Sequence, residues 1–339
     1  MKKIELLAPA RDALIGIAAI NNGADAVYIG ASAYGARKEA GNRLEDIETL
    51  VEYAHRFYSK VYVTLNTILY DAELKMAEQL VRKLYEIGVD ALIIQDMGLL
   101  QLDLPPISLH ASTQMHNYEL EKIKFLDRLG FQRIVLAREL SLEQIETIRK
   151  EVKAELEVFI HGALCVSLSG QCYLSQYMFG RSANRGECAQ ACRMKWTVKD
   201  KSDQVLVRDK YVLSLKDLNM SAYIDDLIRI GVDSFKIEGR LKDANYVSNV
   251  TNHYNSLINN QLKINNNKIG RLSSGEVISD FTADPERSFN RGFTTYFAQG
   301  RQKELVNRES PKSMGKLLGR VKKVYKNELW LITAEELHN

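Results

Sequence analysis

The sequence predicts an α/β protein: a TIM-like (β/α)8 barrel with a Cys-rich insertion after strand seven and a small C-terminal β extension. The length of 339 residues suits a barrel of ~250 residues and an appendage. Short, nearly continuous apolar runs alternate with amphipathic stretches, which is typical of parallel strands covered by helices. Four helical stretches end on a glycine shortly before an apolar run, at Gly23, Gly88, Gly130 and Gly231. Glycine tolerates the left-handed backbone of a helix C-terminus, so these glycines indicate helix-to-strand turns.

Eight apolar runs are the predicted barrel strands. In chain order they are Ile4–Ala8, Ala26–Gly30, Lys60–Leu65, Ala91–Gln95, Ile107–Ala111, Arg133–Ala137, Glu157–Ile160 and Ser234–Glu238. A further run, Tyr211–Asp217, is assigned to the insertion between the seventh and eighth strands. The alternative is an open doubly wound sheet, but the G-x-G-x-x-G fingerprint that would favour a dinucleotide-binding fold is absent.

We divide the chain at residue 265. Residues 1–265 are the predicted barrel, which includes the cysteine-rich metal-binding insertion 162–210, and residues 266–339 are a basic extension with a β-hairpin. No run approaches the ~18 apolar residues of a membrane span, so no membrane partner is expected. Four cysteines in such a chain indicate metal or redox chemistry in the reducing cytoplasm rather than a disulfide framework. The sequence leaves the oligomeric state open, including a homo-oligomer.

The predicted extension combines positive charge with aromatic side chains. Residues 287–326 contain eleven Lys and Arg and two acidic residues, a net charge of +9 (11 − 2), whereas the whole chain carries +3. The aromatic residues among them are Phe289, Phe293, Tyr296, Phe297 and Tyr325. Basic side chains beside stacking rings suit single-stranded nucleic acid, and a solvated basic face is the alternative. Gly319–Val324 and Glu328–Thr333 are predicted to form a hairpin.

Polar side chains follow most of the predicted strands at their carboxyl ends. A barrel keeps its active site at this end, so we expect a shared polar pocket; solvated loops are the alternative. The substrate-binding candidates are Asn66, His110, Gln114 and Arg138, and the catalytic candidates are His161, Glu238 and Arg240.

All four cysteines lie within 28 residues: Cys165, Cys172, Cys188 and Cys192, with the spacing C-x6-C-x15-C-x3-C. Four thiolates suit Zn²⁺ or an iron–sulfur cluster. Structural zinc sites usually use short C-x2-C knuckles, whereas cluster ligands tolerate irregular gaps. The spacing therefore favours an iron–sulfur cluster, with zinc as the alternative.

Two arginines lie between the cysteine pairs. The guanidinium groups of Arg181 and Arg185 can form forked hydrogen bonds with a carboxylate or a phosphate. We expect them to bind an anionic cosubstrate or an RNA phosphate near His161 and Glu238. His161 precedes Cys165 by four residues and is a candidate acid–base group, with a purely structural histidine as the alternative.

Several blocks resemble the collagenase-like peptidases of family U32. They are Glu5–Ala10, Glu157–Cys165, Ser169–Cys172, Arg181–Arg193, Leu213–Leu218, Lys236–Arg240 and Asn290–Phe293. The resemblance covers nearly the whole chain and implies a TIM-like barrel with a [4Fe-4S] cluster on the four cysteines. It also implies oxygen-independent hydroxylation of an RNA base, either a wobble uridine in tRNA or a cytidine in rRNA, with prephenate as a required small molecule.

Two other functions stay open. Older descriptions of the family imply a collagenase-like hydrolase, but the sequence lacks His-Glu-x-x-His and Gly-x-Ser-x-Gly motifs. His161 with Cys165 is the one tempting nucleophile pair, and Cys165 is better explained as a cluster ligand. The other alternative is a non-catalytic scaffold that delivers RNA or a cofactor to a partner. The cysteines, the arginines and the basic extension together favour the hydroxylase.

Overall fold

The computed structural model describes residues 2–264 and 269–333 and contains a closed barrel of eight parallel strands. The strands are β1 (Lys2–Ala10), β2 (Ala26–Ala31), β3 (Lys60–Leu65), β4 (Ala91–Ile94), β5 (Ser108–Ala111), β6 (Arg133–Val135), β7 (Glu155–Gly162) and β8 (Ser234–Ile237). Each strand pairs with the next, and β8 pairs with both β7 and β1, which closes the barrel. The predicted fold class and all eight predicted strands are confirmed.

Helices connect the strands on the outside of the barrel. The α-helices are α1 (Ala13–Asn21), α2 (Leu44–His55), α3 (Asp71–Glu86), α4 (Leu120–Arg128), α5 (Leu142–Glu151), α6 (Leu174–Phe179), α7 (Ile224–Ile230) and α8 (Ala244–Ile264). A short 3₁₀ helix, Met97–Gln101, stands between β4 and β5. The helix ends follow local chemistry: Ser141 and Gln144 form a reciprocal capping box at the start of α5. Gly231, with φ of 99°, ends α7 in the left-handed conformation.

The lower half of the barrel interior is charged. Arg133 on β6 donates to Glu5 (Nη2–Oε2 3.1 Å) and to Glu157 (Nη1–Oε2 3.2 Å), and Glu157 accepts from Lys236 (Oε1–Nζ 2.6 Å). All four side chains are buried. Burial raises the pKa of Glu5, and Arg133 opposes that increase. Two buried carboxylates thus face two buried cations, so the charges of these four side chains balance.

The chain between β7 and β8 forms the predicted insertion. It contains α6, an antiparallel pair of strands (Trp196–Lys199 and Val205–Lys210) and a short strand, Asp217–Asn219. That short strand pairs antiparallel with the end of β7 and parallel with Phe293–Thr294. The run Tyr211–Asp217 therefore lies outside the eight barrel strands, and only its last residue belongs to a strand.

Segments on both sides of the predicted boundary at residue 265 contact the barrel. Ile269–Arg271 pairs parallel with β1, and Arg271 donates to Asp25 (Nε–Oδ2 2.8 Å). The predicted hairpin is confirmed as Gly319–Tyr325 and Glu328–Thr333, and most of its side chains are exposed. The boundary residues 265–268 lie outside the described part of the chain. None of the helices within the described ranges has the length and apolar character that a bilayer span requires.

Candidate active site and the four cysteines

A cavity of about 240 Å³ lies between the carboxyl ends of the barrel strands and the cysteine-rich insertion. All four cysteines line it. Five of the polar residues predicted from the strand ends also line it: Asn66, Gln114, Arg138, Glu238 and Arg240. The barrel floor and the insertion therefore enclose one site, as expected for the C-terminal face of such a barrel.

Hydrogen bonds fix the polar floor of the cavity. Arg138 donates to Glu238 (Nη2–Oε2 3.2 Å) and stacks on the ring of Phe159, with 3.8 Å from Cζ to the ring centroid. Arg240 donates to Thr64 (Nη1–Oγ1 2.7 Å). Asn66 accepts from the backbone N–H of Ala36 at 2.9 Å and donates to Ser112 (Nδ2–Oγ 3.3 Å). Because these side chains are already oriented, a ligand would meet a preorganised surface.

The cavity is positively charged. Arg37, Arg138, Lys236 and Arg240 line it, and Glu238 is the carboxylate among the described lining residues. Because Glu157 balances Lys236, the other charged lining residues sum to +2 (3 − 1). Burial alone would raise the pKa of Glu238, but Arg138, Arg37 and Arg240 lower it below its ordinary value. Burial lowers the pKa of Arg240 and of Lys236. An anion in the cavity would therefore stabilise cations that burial disfavours.

Close backbone packing holds the first cysteine pair over the barrel. Gly170 has φ of 71°, and a Cβ at this position would lie 1.8 Å from the carbonyl oxygen of Gln114. Gly162, at the end of β7, has φ of 102°, and a Cβ there would lie 2.4 Å from the carbonyl oxygen of Glu238. The loop with Cys165 and Cys172 can reach the cavity because these two positions carry no side chain.

Polar contacts hold the second pair. Arg193, next to Cys192, donates to the carbonyl of Leu164 (Nη2–O 2.9 Å) and to Ser214 (Nη1–Oγ 2.9 Å). Ser175 on α6 accepts from the backbone N–H of Ala189 at 3.0 Å, beside Cys188. Leu164 is next to Cys165, and Ser175 follows Cys172 by three residues. These contacts therefore link the second cysteine pair to the chain beside the first pair.

The four cysteines form no disulfide bonds with one another. Cys165 is exposed and the other three are half-buried. Burial raises the pKa of Cys192 to about 11, and the neighbouring thiols add to this increase. Across residues 2–264 and 269–333, no three Cys, His, Asp or Glu side chains already stand in a metal-binding arrangement. The donor set nevertheless fits a metal centre, because four sulfur donors face one cavity and suit Zn²⁺ or iron.

Four of the predicted residues do not line the cavity. His161 is buried behind it, with Nδ1 3.2 Å from the hydroxyl of Tyr254, and burial lowers its pKa to about 3. Of the two alternatives for His161, a buried and neutral imidazole fits the structural histidine rather than the acid–base group. It also does not pair with Cys165, as the hydrolase hypothesis requires. His110 lies lower in the barrel, edge-on to Tyr62 at 4.8 Å, and burial also lowers its pKa.

The two arginines of the insertion point elsewhere. Arg185 forms a forked ion pair with Glu73 (Nη2–Oε1 2.7 Å and Nη1–Oε2 2.9 Å) and lies over the ring of Tyr70 at 4.2 Å. Arg181 is exposed, outside the set of cavity-lining residues. The structure therefore does not bring Arg185 to His161 and Glu238, because Arg185 anchors the insertion to α3 instead. Anion binding by Arg181 stays a prediction.

Sequence reasoning missed two cavity cations. Lys236 lies in an apolar strand, Ser-Phe-Lys-Ile, and a lysine inside a buried parallel strand was a usable signal because an unpaired buried charge is costly. Arg37 lies in the loop after β2, where no strand pattern marks it. The cations that line the cavity thus come from the barrel rather than from the arginines between the cysteines.

Comparison with known proteins identifies the family of this chain. A model of Peptidase family U32 matches residues 15–308. The 23S rRNA 5-hydroxycytidine C2501 synthase of Escherichia coli (strain K12) is 50% identical over 337 residues, 99% of this chain and 52% of that protein. The tRNA hydroxylation protein P1 of Bacillus subtilis (strain 168) is 36% identical over 267 residues, 76% of this chain and 63% of the relative.

A third relative has a different name. The collagenase of Porphyromonas gingivalis (strain ATCC BAA-308 / W83) is 33% identical over 270 residues, 75% of this chain and 64% of that protein. The chain therefore spans between about half and two thirds of the length of these three relatives. The match to the family model covers most of the sequence, including β2 to β8 and the cysteine-rich insertion, and on this evidence the chain belongs to peptidase family U32.

Proposed function

We propose that this chain belongs to an oxygen-independent RNA base hydroxylase, with a [4Fe-4S] cluster on Cys165, Cys172, Cys188 and Cys192. The observation that carries the proposal is that four thiols and a net-positive polar floor line the same cavity. Relatives named as an rRNA hydroxycytidine synthase and a tRNA hydroxylation protein support an RNA base as the substrate. We also propose the cytoplasm as the compartment, because a metal centre on four thiolates needs an environment that keeps cysteines reduced.

The four cysteines would hold the metal centre, with Zn²⁺ as the alternative occupant. A bound cluster would supply one-electron chemistry or would rigidify the insertion over the barrel. Burial of Cys192 favours its protonated thiol, so metal binding would release a proton from this side of the cavity. The contacts of Arg193 and Ser175 with the backbone beside the cysteines would keep the ligand loops in place.

The barrel floor would bind the small substrate groups. Arg37, Arg138 and Arg240 would hold an anionic cosubstrate, for which prephenate is the proposed molecule. Gln114 presents an amide, which supplies both a donor and an acceptor for the edge of a base. The ionised Glu238 would orient Arg138 and accept a hydrogen bond from the substrate.

The RNA strand would contact the basic segment 287–326. Its exposed lysines, such as Lys322 and Lys323, would neutralise phosphates, and exposed Tyr325 offers a stacking surface. Arg291 of this segment is buried and pairs with Asp217 (Nη1–Oδ1 2.9 Å). Both rRNA and tRNA are candidate substrates, because one relative is named for each.

Metal analysis of protein purified without oxygen tests the metal centre. We expect about four iron and four acid-labile sulfide per chain. The Cys172→Ala variant should lose both, while Ser202→Ala, in the exposed turn of the insertion, should keep them. One zinc without sulfide would contradict the cluster.

Base hydroxylation tests the activity. Wild-type protein with RNA and prephenate should convert a pyrimidine to its hydroxylated form, read by mass spectrometry of digested RNA, and Cys172→Ala should not. Turnover that requires an added partner protein would instead favour the scaffold alternative. Gelatin cleavage at an undiminished rate in Cys172→Ala would favour the hydrolase.

A further inference from the structure

Lys236 is a buried primary amine to which the proposed function assigns no chemical role. It lies on β8 at the floor of the cavity, with 4% of its surface exposed, and its side chain is among those that line the cavity. Its Nζ lies 4.4 Å from the ring centroid of Tyr28 and 5.4 Å from that of Phe159. The amine is therefore shielded from bulk water and lies at the boundary between the cavity and the charged barrel interior.

A carboxylate partner stands beside the amine. Glu157 Oε1 lies 2.6 Å from Lys236 Nζ, and Glu157 is fully buried. The other oxygen of Glu157 accepts from Arg133 at 3.2 Å. Because Arg133 also pairs with Glu5, this guanidinium keeps a carboxylate partner when Glu157 takes up the lysine proton. Burial lowers the pKa of Lys236, which assists formation of the neutral amine.

We propose that Lys236 condenses with the carbonyl group of a 2-oxo carboxylate bound in this cavity. The carboxylate of such a ligand matches Arg138, Arg240 and Arg37, which line the same space. The inference rests on the proposed function only in assigning an anionic cosubstrate to this cavity, and it names the chemical class of that cosubstrate.

The step balances without an oxidant or a reductant. The Lys236 ammonium passes a proton to Glu157, and the amine nitrogen adds to the carbonyl carbon to give a carbinolamine. The carbinolamine hydroxyl then leaves as water, which carries away the carbonyl oxygen and two of the original ammonium hydrogens. The product is an iminium that keeps the third hydrogen, with Glu157 again ionised. An iminium withdraws electrons from the neighbouring carbon, which is the general use of a lysine in covalent catalysis.

Reductive trapping tests this step on the full chain. Protein incubated with pyruvate and sodium cyanoborohydride should gain one reduced pyruvyl group, and peptide mass spectrometry should locate it on Lys236. Lys236→Arg keeps the positive charge beside Glu157 but has no primary amine, so it should lose the adduct while keeping the wild-type circular dichroism spectrum. Acetone, which lacks a carboxylate, should label at least tenfold more slowly.

A matched lysine controls for general reactivity. Lys242 is half-buried, lies against Phe289 and does not line the cavity, and its pKa is lowered to about 8 by burial. Lys242→Arg should leave the adduct unchanged. An adduct that persists in Lys236→Arg, or that lies on Lys242, would overturn the inference.

The trapping experiment and the hydroxylation assay can fail independently of each other. An adduct on Lys236 in protein that does not hydroxylate RNA would support the inference and count against the hydroxylase. RNA hydroxylation without an adduct, and at full rate in Lys236→Arg, would overturn the inference and leave the hydroxylase standing.

Discussion

Arg138 joins the barrel floor to the cysteine-rich insertion: it donates to Glu238 beyond β8 (Nη2–Oε2 3.2 Å) and to the carbonyl of Ala163 beyond β7 (Nη1–O 3.1 Å). The same guanidinium group thus sets the charge of Glu238 and holds the residue two positions before Cys165. The ionisation of the floor and the position of the insertion are coupled through one side chain.

Replacement of Arg138 should raise the pKa of Glu238. Burial of this carboxyl group favours the neutral form, and Arg138 is the strongest of the cations that oppose it. In wild-type protein the Glu238 carboxylate should therefore stay ionised at pH values somewhat below 4.5, its ordinary pKa. In Arg138→Met, the acid limb of the pH–activity profile should move to higher pH, whereas Arg149→Met, which removes a pair with Asp233 outside the cavity, should leave the limb in place. An unchanged limb in Arg138→Met would contradict the coupling.

The ion pair between Arg185 and Glu73 should fix the insertion to α3. Both side chains are about one quarter exposed, so a double-mutant cycle should give a coupling of about 1 kcal/mol rather than the larger value of a buried pair. Arg185→Met should also speed proteolysis within residues 162–210. Arg82→Met, which removes a pair with Glu78 on the same helix, should not. Equal proteolysis rates in the two variants would contradict this anchoring role.

Gly170 and Gly180 provide a matched pair, because both have positive φ but differ in their surroundings. A Cβ at Gly180 meets nothing within 4 Å, so Gly180→Ala should cost only about 1 kcal/mol for the left-handed backbone. A Cβ at Gly170 would collide with the backbone of Gln114, so Gly170→Ala should displace the loop that carries Cys165 and Cys172.

Thiol alkylation and iron content measure that displacement. Metal-free Gly170→Ala should react with iodoacetamide faster than wild-type protein and should retain less iron after reconstitution. Gly180→Ala should match wild-type protein in both measurements. A similar rate for the two variants would show that the loop does not depend on its contact with Gln114.

The buried His161 should make the protein less stable in acid. Burial lowers its pKa to about 3, so the folded protein does not take up this proton between pH 6.5 and about 3, whereas the unfolded chain does. Stability should therefore fall as pH decreases through this window, by about 2 kcal/mol at pH 5 for this group alone. Urea unfolding of metal-free protein at pH 7 and pH 5 measures the loss. His161→Asn cannot titrate and should show a smaller difference between the two pH values; an equal difference would contradict the assignment.

Periodicity sufficed for the barrel, because eight buried parallel strands each appear as a short apolar run, and a glycine turn precedes four of them. The strand-end rule also found Asn66, Gln114, Arg138, Glu238 and Arg240, since the carboxyl ends of barrel strands converge. It failed for His161 and His110, because a strand-end position does not determine which way a side chain points. In the structure, the His161 ring packs towards Tyr254 and the His110 ring packs against Tyr62.

The arginines of the insertion could not be placed from sequence for another reason. Arg185 satisfies its charge with Glu73, a partner 112 residues away, and only the tertiary packing of the insertion on α3 brings them together. Lys236 was missed because one charged residue does not change the assignment of an apolar run as a buried strand. Its partner Glu157 lies on the neighbouring strand, and only closure of the barrel brings the two together.

The C-terminal hairpin has a practical consequence for handling the protein. Val321, Val324, Leu329, Trp330 and Ile332 each expose more than half of their surface. Among residues 2–264 and 269–333 the two strands pair only with each other, so each presents an outer edge with backbone groups open to another strand. An isolated two-stranded hairpin is marginally stable in water. The concentrated protein should therefore self-associate first at this hairpin, and a charged residue in place of Trp330 should raise its solubility without affecting the barrel.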